Sequence, residues 1–495
     1  MKKVDRATNI IYFVLLALLS GCIAPKAIPF DEIHTSVPNN WTTEIPDNDL
    51  YTGDWIKVFG DTTLVSIIGQ IKANGPDLKS IIFRQKMAYQ NAKINGASVF
   101  PNVGFQFNGS RNKQNLSGFG FADAFMNLEG ESDSSTSNSG QSNQVISFDS
   151  ETYGLNLNFQ WELDVWGRLL NGRKAAFKDF ESTSYDLSYL RFSTLVRSAK
   201  IYFQNIEAYQ QLELAKESFS SLAEIRELVK DRYNKGLRSS LDYRLAQTSV
   251  STSRVLIENR KNQMIILKRQ LEILMGDYPS GKLHISKSLP DSLPLIPNTV
   301  PGDLLIRRPD IRSLISKIDA SGFRVAQAKR NLLPGIGLTG SAGTSTRELE
   351  ELFNGENSIW NVGLNITNPI FNGGRLKREI EMQKAALEQS KQEFKRGLLI
   401  SFSEVEQLLN LENSLLVQIK SINDAVQQSG DAYKLSKDRY DKGVTTLESV
   451  LNSQRQYNDL RSQYLSIKRQ RIENRLSLLL ALGGDYEIKK NEIKN

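Results

Sequence analysis

The strongest constraint on this chain is that it repeats itself. Around Tyr233 it reads Lys230-Asp231-Arg232-Tyr233-Asn234-Lys235-Gly236, and around Tyr440 it reads Lys437-Asp438-Arg439-Tyr440-Asp441-Lys442-Gly443, with a single position changed. Downstream, Leu274-Met275-Gly276-Asp277-Tyr278 answers to Leu482-Gly483-Gly484-Asp485-Tyr486. Upstream, Gly154-Leu155-Asn156-Leu157 answers to Gly363-Leu364-Asn365-Ile366, and Gly167-Arg168-Leu169 to Gly374-Arg375-Leu376. Landmarks in one order at a nearly constant offset point to an internal tandem duplication. The copies are placed at 61–278 and 309–486, with a linker over 279–308, an N-terminal segment over 22–60 and a tail over 487–495. From Pro279 to Gly302 the linker is rich in Pro, Ser and Leu, and it is expected to cross the outside of the structure.

Each copy carries two stretches of alternating polarity. Tyr153, Leu155, Leu157, Phe159 and Trp161 alternate with Gly154, Asn156, Asn158 and Gln160, and Val103, Phe105 and Phe107 with Gly104, Gln106 and Asn108. In the second copy Ile336 and Leu338 alternate with Gly337 and Thr339, and Val362, Leu364 and Ile366 with Gly363, Asn365 and Thr367. Such a period of two specifies strands with one apolar face, suited to lipid outside and water inside, or to a soluble sandwich with one wet face. Trp161, Trp166 and Trp360 near the strand ends fit an interfacial aromatic belt. Four strands cannot close a barrel, and an open edge cannot sit in lipid with its backbone groups unsatisfied. If these strands span a membrane, several chains share one barrel. Two chains give eight strands, whose interior side chains fill, whereas three give twelve and leave a pore. The polar run from Glu129 to Asn143 reads as an exterior loop.

The segments from about Gly172 to Lys235 and from about Gly374 to Lys442 contain no proline, and their apolar residues recur at spacings of three and four. Leu408, Leu411, Leu415, Ile419, Ile422 and Val426 form the expected coiled-coil seam. At ~1.5 Å per residue each helix reaches roughly 100 Å, longer than any compact domain. Gly236 and Gly443 suit the left-handed position after a helix, and Ser239-Ser240-Leu241-Asp242 and Thr445-Thr446-Leu447-Glu448 then fit capping boxes that open a returning helix. Both copies therefore contain a tight helical hairpin.

At the N-terminus Lys2, Lys3 and Arg6 precede an apolar run from Ile10 to Leu19 and then Leu19-Ser20-Gly21-Cys22. The run is too short to span a bilayer, and residues 1–21 read as a secretory signal with a lipobox. Resemblance to bacterial lipoproteins implies lipid attachment at Cys22, and Ile23 in place of an aspartate favours the outer membrane. Cys22 is the single cysteine, so no intramolecular disulfide forms. The formal charge of +7 is spread along the chain, without the basic, aromatic-interleaved block of a nucleic-acid surface. With only His34 and His284, neither beside a cysteine, and Gly118-Phe119-Gly120 lacking a strand and helix around it, an enzyme or a resident cofactor has little basis.

Asp303-Leu304-Leu305-Ile306-Arg307-Arg308-Pro309-Asp310-Ile311, Leu333-Pro334-Gly335-Ile336-Gly337-Leu338, Phe371-Asn372-Gly373-Gly374-Arg375 and the paired Arg-Tyr-x-Lys-Gly turns together resemble the outer-membrane factor family, the TolC-like exit ducts, in its lipoprotein multidrug-efflux branch. The resemblance covers nearly the whole mature chain. It implies an α+β membrane protein: a homotrimer with a twelve-stranded outer-membrane β-barrel, four strands per chain, continued by a long periplasmic α-helical barrel. It implies a passive exit duct of a tripartite efflux system, reached through a periplasmic adaptor, or membrane fusion protein, from an inner-membrane pump. A type I protein secretion duct and a non-channel envelope scaffold are the alternatives. By the same resemblance Gly236, Leu237, Gly443 and Val444 are the candidate adaptor-docking tips, and Asp242, Ser449 and Asn452 the candidate pore constriction. Glu448 lies close to that constriction, but on a different face of its helix.

Overall fold

The computed structural model describes residues 37–43, 55–115, 147–291, 293, 295–296 and 300–484. Cys22, His34, Gly118-Phe119-Gly120 and the loop from Glu129 to Asn143 lie outside them. The elements are α1 (Thr62–Asn74), α2 (Pro76–Gly96), β1 (Asn102–Asn115), β2 (Ser147–Leu163), α3 (Arg168–Asn234), α4 (Ser240–Met275), α5 (Leu304–Arg307), α6 (Pro309–Arg330), β3 (Gly335–Thr346), β4 (Ser358–Thr367), α7 (Arg375–Asp441) and α8 (Leu447–Ala481). The same order of helix, two strands, long helix and shorter helix therefore occurs twice, and α3 and α7 each run for 67 residues.

The chain divides into two compact units that cut across the repeats, one holding 92–176 with 321–386, the other 27–91 with 177–320 and 387–495. In the first unit the four strands form one antiparallel sheet in the order β1-β2-β3-β4. Its register keeps one parity throughout. Phe105 pairs with Leu157, Leu157 with Ala342 and Ala342 with Trp360, while further along the same face Trp161 pairs with Leu338 and Leu338 with Leu364. The opposite face carries Gly104, Asn158, Ser341 and Asn361 on one rung and Glu162, Gly337 and Asn365 on another. A slip by one residue would mix the faces, so the alternation itself pins the register. Gly343 is required here, because a Cβ at that position would run into the carbonyl oxygen of Leu155.

In the second unit the main core gathers Leu64, Ile68 and Ile71 of α1 with Tyr202, Phe203 and Ile206 of α3, Leu271 of α4 and Ile472 and Leu476 of α8. Asp61 starts α1 by accepting hydrogen bonds from the Thr63 and Leu64 amides at 2.9 and 3.2 Å. The linker runs at the surface, with Lys282, His284, Lys287 and Ser288 exposed, but it is anchored more firmly than its composition suggests. Ile285, Leu289 and Ile296 are buried, and the Glu272 carboxylate takes hydrogen bonds from the Gly281, Lys282 and Leu283 amides at 2.7, 3.0 and 3.1 Å. Three aliphatic side chains anchor it because leaving them in water costs more than ordering the turn that inserts them.

The seam of α7 also differs from the one read in the sequence. Leu411 is exposed, whereas Phe394, Leu398, Val405, Leu409, Glu412 and Leu415 form the buried stripe. Glu412 is tolerated there because Arg471 and Arg475 of α8 hold its carboxylate at 2.8 and 3.0 Å, and Asn474 donates to it at 3.0 Å.

Candidate functional site: the two-faced sheet and the paired hairpin turns

The sheet presents large apolar groups to its surroundings. Phe105, Leu157, Trp360, Val362, Leu364 and Ile366 are all more than half exposed, so among the described residues no second sheet covers them as a soluble sandwich requires. The polar face is knit together by side chains: Asn156 donates to Asn108 and Asn158 to Gln106, both at 3.4 Å. Beyond Phe107 and Leu155, β1 and β2 continue as a polar ribbon in which Arg111 faces Glu151 at 3.3 Å. The tryptophans differ in role. Trp161 and Trp166 donate their indole N–H to the Val99 and Pro334 carbonyls at 3.0 and 2.7 Å, fixing the strand ends, whereas Trp360 stands 78% exposed.

The hairpin turns lie in the other unit. Gly236 and Gly443 have φ of 76° and 78°, and each ends its helix with the two reversed hydrogen bonds of a left-handed cap. Leu237 N–H donates to the Arg232 carbonyl and Val444 N–H to that of Arg439, both at 2.8 Å. This cap turns Leu237 and Val444 outward, 69% and 72% exposed. Ser239 then caps α4 by accepting from the Asp242 amide at 3.1 Å, as expected. In the second hairpin the cap is Thr446, one residue later than the sequence reading; it accepts from the Ser449 amide at 3.3 Å, and Glu448 falls outside the capping position.

Asp242 is half-buried, while Ser449 and Asn452 are exposed on α8. The structure brings the two turns together through residues that the sequence reading did not single out. The guanidinium groups of Arg232 and Arg238 lie 5.3 and 4.5 Å from the ring centroid of Tyr440, and Arg232 also reaches Asp441 at 3.4 Å. Around them Ile225, Val229, Ala246, Leu447, Val450 and Leu451 form a small core. Burial, with some help from Asp242, pushes the Tyr440 hydroxyl above its usual pKa despite the two arginines. The repeated Arg-Tyr pair was the available signal, but it gave both tyrosines the same environment.

Two further anchors are set in this unit. Arg308, 3% exposed, pairs with Asp310 and Glu404, both at 2.8 Å, and donates to the Ala481 carbonyl at 3.1 Å. Although burial works against its charge, these partners hold the guanidinium firmly protonated. Glu406 accepts from the Thr42 and Thr43 amides at 2.7 and 3.1 Å while Trp41 meets Phe402 edge-on, so the N-terminal segment docks on α7.

Comparison with known proteins decides the family. The profile of the outer membrane efflux protein family matches residues 67–277 and 300–484. The chain belongs to the outer membrane efflux protein family. Among its relatives, the toluene efflux pump outer membrane protein TtgF of Pseudomonas putida is 29% identical over 335 residues, 68% of this chain and 70% of that protein. The cation efflux system protein CusC of Escherichia coli K12 is 25% identical over 480 residues, 95% of this chain and 98% of that protein. In fold, this efflux protein is similar to the Campylobacter jejuni CmeC outer membrane channel, with a TM-score of 0.78 and 22% identity over 93% of each chain. It is likewise similar to the outer-membrane channel OprN, with a TM-score of 0.75 and 20% identity over 91% of this chain and 98% of that one. As a member of this family it is an efflux protein of the outer membrane.

Proposed function

We propose that this efflux protein is the passive exit duct of a tripartite system, acting as a homotrimer in which three sheets close one twelve-stranded barrel continued by a periplasmic helical barrel. The observation that carries the reading is the sheet itself. It has an exposed apolar face and, among the described residues, unpaired edges at β1 and β4, which lipid forbids unless neighbouring copies pair with them. Exposed Val255, Ile266 and Ile273 on α4 and Leu399, Ile400 and Val417 on α7 support helix contacts between the same copies. The equal lengths of α3 and α7 support an origin by duplication.

The outward Leu237 and Val444, each held by its glycine cap, are the surfaces for the hairpins of a periplasmic adaptor, which links the duct to an inner-membrane pump. Asp242 on one hairpin against Ser449 and Asn452 on the other makes the constriction acidic on one side only. Lipid on Cys22 tethers the N-terminal segment to the membrane. Relatives named for toluene, pyoverdine and cations differ in cargo, and the pump makes that choice.

Purified protein reconstituted in planar bilayers tests the reading. Discrete conductance steps from a species of trimer mass are expected. A monomer in mild detergent that never conducts would overturn it and leave a scaffold lipoprotein.

A further inference from the structure

The start of α7 carries positive charge that the duct does not use. A groove of about 570 Å³ between α6 and α7 is lined by Lys329, Lys377, Arg378 and the Lys384–Glu381 pair, beside Gly373 and Gly374. Lys384 has Glu381 at 2.8 Å, but no ion pair holds Lys329, Lys377 or Arg378 among the described residues. Lys377 and Arg378 sit in the opening turns of α7, where the helix dipole is positive and opposes cations. The fold does not ask for them. With Gly167-Arg168 set against Gly374-Arg375, the equivalent places at the start of α3 hold Leu170, Asn171 and Phe177, and that helix forms equally well. An arrangement that is unfavourable in isolation and unnecessary for folding points to an anion that completes it.

Its side of the helix is fixed by geometry. Arg375, Leu376 and Glu379 line a separate depression with Gln160, Glu162, Thr339 and Asn365 of the sheet's polar face. At about 100° per residue, Lys377, Arg378, Glu381 and Lys384 lie on the opposite side of α7, away from that depression. Immediately before the helix, Ile370 and Phe371 are 95% and 90% exposed. Cations without counter-charges, next to bare apolar side chains at the end of a lipid-facing strand, match a molecule with a phosphate at one end and acyl chains at the other.

We propose that this groove binds the headgroup phosphate of an anionic phospholipid from the periplasmic leaflet, with Lys329, Lys377 and Arg378 around the phosphate and acyl chains over Ile370 and Phe371. The assignment rests on the reading that places the sheet in the membrane. Native mass spectrometry of the detergent-purified protein, titrated with phosphatidylglycerol, with phosphatidylcholine of the same chains and with inorganic phosphate, tests it. Phosphatidylglycerol is expected to bind most tightly. Lys377→Ala with Arg378→Ala should weaken it by roughly tenfold or more, on the scale of two basic groups at a lipid surface. Lys113→Ala, on the polar ribbon, should leave it unchanged. Equal binding of the two lipids, unchanged binding in the double variant, or inorganic phosphate as tight as the lipid would overturn the site. Bilayer conductance on the same preparations separates the two readings. A conducting protein without lipid selectivity removes the lipid site alone, and one that neither conducts nor retains any lipid removes both.

Discussion

Arg238 holds its guanidinium 4.5 Å from the ring centroid of Tyr440, so the turn of the first hairpin covers the tyrosine of the second. The counterpart Tyr233 instead stacks on Tyr243 of its own hairpin, with centroids 5.7 Å apart, and remains 40% exposed. One motif thus serves two ends: Tyr440 ties the hairpins together, and Tyr233 faces outward.

The two tyrosines should therefore respond differently to truncation. Tyr440→Ala empties a buried ring site and is expected to cost roughly 3–5 kcal/mol, whereas Tyr233→Ala should cost clearly less. Tyr440→Phe should be nearly neutral, because the buried hydroxyl has no hydrogen-bond partner among the described residues. Thermal and denaturant unfolding of the purified variants measure all three. A Tyr440→Phe change as damaging as Tyr440→Ala would contradict the unpartnered hydroxyl.

Arg308→Ala strands the Asp310 and Glu404 carboxylates and the Ala481 carbonyl, at a cost of roughly 3 kcal/mol. Arg307→Ala, one residue earlier and outside that network, should cost little. Melting temperatures of the pair check the contrast, and equal losses would show that Arg308 is no keystone.

Acid should loosen the linker. Burial raises the Glu272 pKa, but hydrogen bonds from Gly281, Ser280, Lys282 and Leu283 outweigh it and hold the carboxyl below its ordinary value of 4.5. The folded pKa lies below the unfolded one, so the stabilisation is fully present above about 4.5 and is lost as pH falls through the depressed folded value. Glu406, held down by the Thr42 and Thr43 amides in spite of burial, adds to the same trend. Glu272→Gln should be less stable than the wild type at neutral pH, with the gap closing in acid. A gap independent of pH would assign the loss to packing instead.

At the turns, Gly236→Trp or Gly443→Trp adds about 1 kcal/mol of left-handed strain, and no neighbouring atom lies within 4 Å of the new Cβ. Assembly and membrane insertion are expected to survive while efflux is lost in a drug-susceptibility assay. Loss of the assembled species as well would mean that the glycines serve only to cap helices.

With the lipid proposed at Cys22, Cys22→Ser should abolish acylation, read as loss of labelled palmitate, and palmitate retained by the variant would overturn that attachment site. If efflux also disappears while the protein still inserts and assembles, the lipid does more than tether the chain.

The strands, the long helices and their turns were legible in the sequence because each rests on local rules. Period-two alternation sets the faces of the sheet, the absence of proline lets α3 and α7 run, and Gly236 and Gly443 supply the backbone freedom that a left-handed cap favours. The order of the sheet carries a longer-range decision, since β2 pairs with β3 across a span that includes the four helices α3 to α6.

Tertiary structure alone decided which apolar residues face inward and which charges are buried. Leu411 and Glu412 are neighbours, and hydrophobicity favours burying the leucine, yet Glu412 is enclosed because Arg471 and Arg475 reach it from α8. Linker burial was equally hidden: Ile285, Leu289 and Ile296 lie among prolines and serines, and only the surface of the neighbouring helices offers them a place. The repeat gave Tyr233 and Tyr440 one sequence. In the structure Tyr440 lies under Arg232 and Arg238 of the first hairpin, whereas Tyr233 stacks on Tyr243 of its own hairpin. Local chemistry fixes elements and turns, whereas partners distant in the chain fix burial and charge pairing, and those become visible only once the helices are side by side.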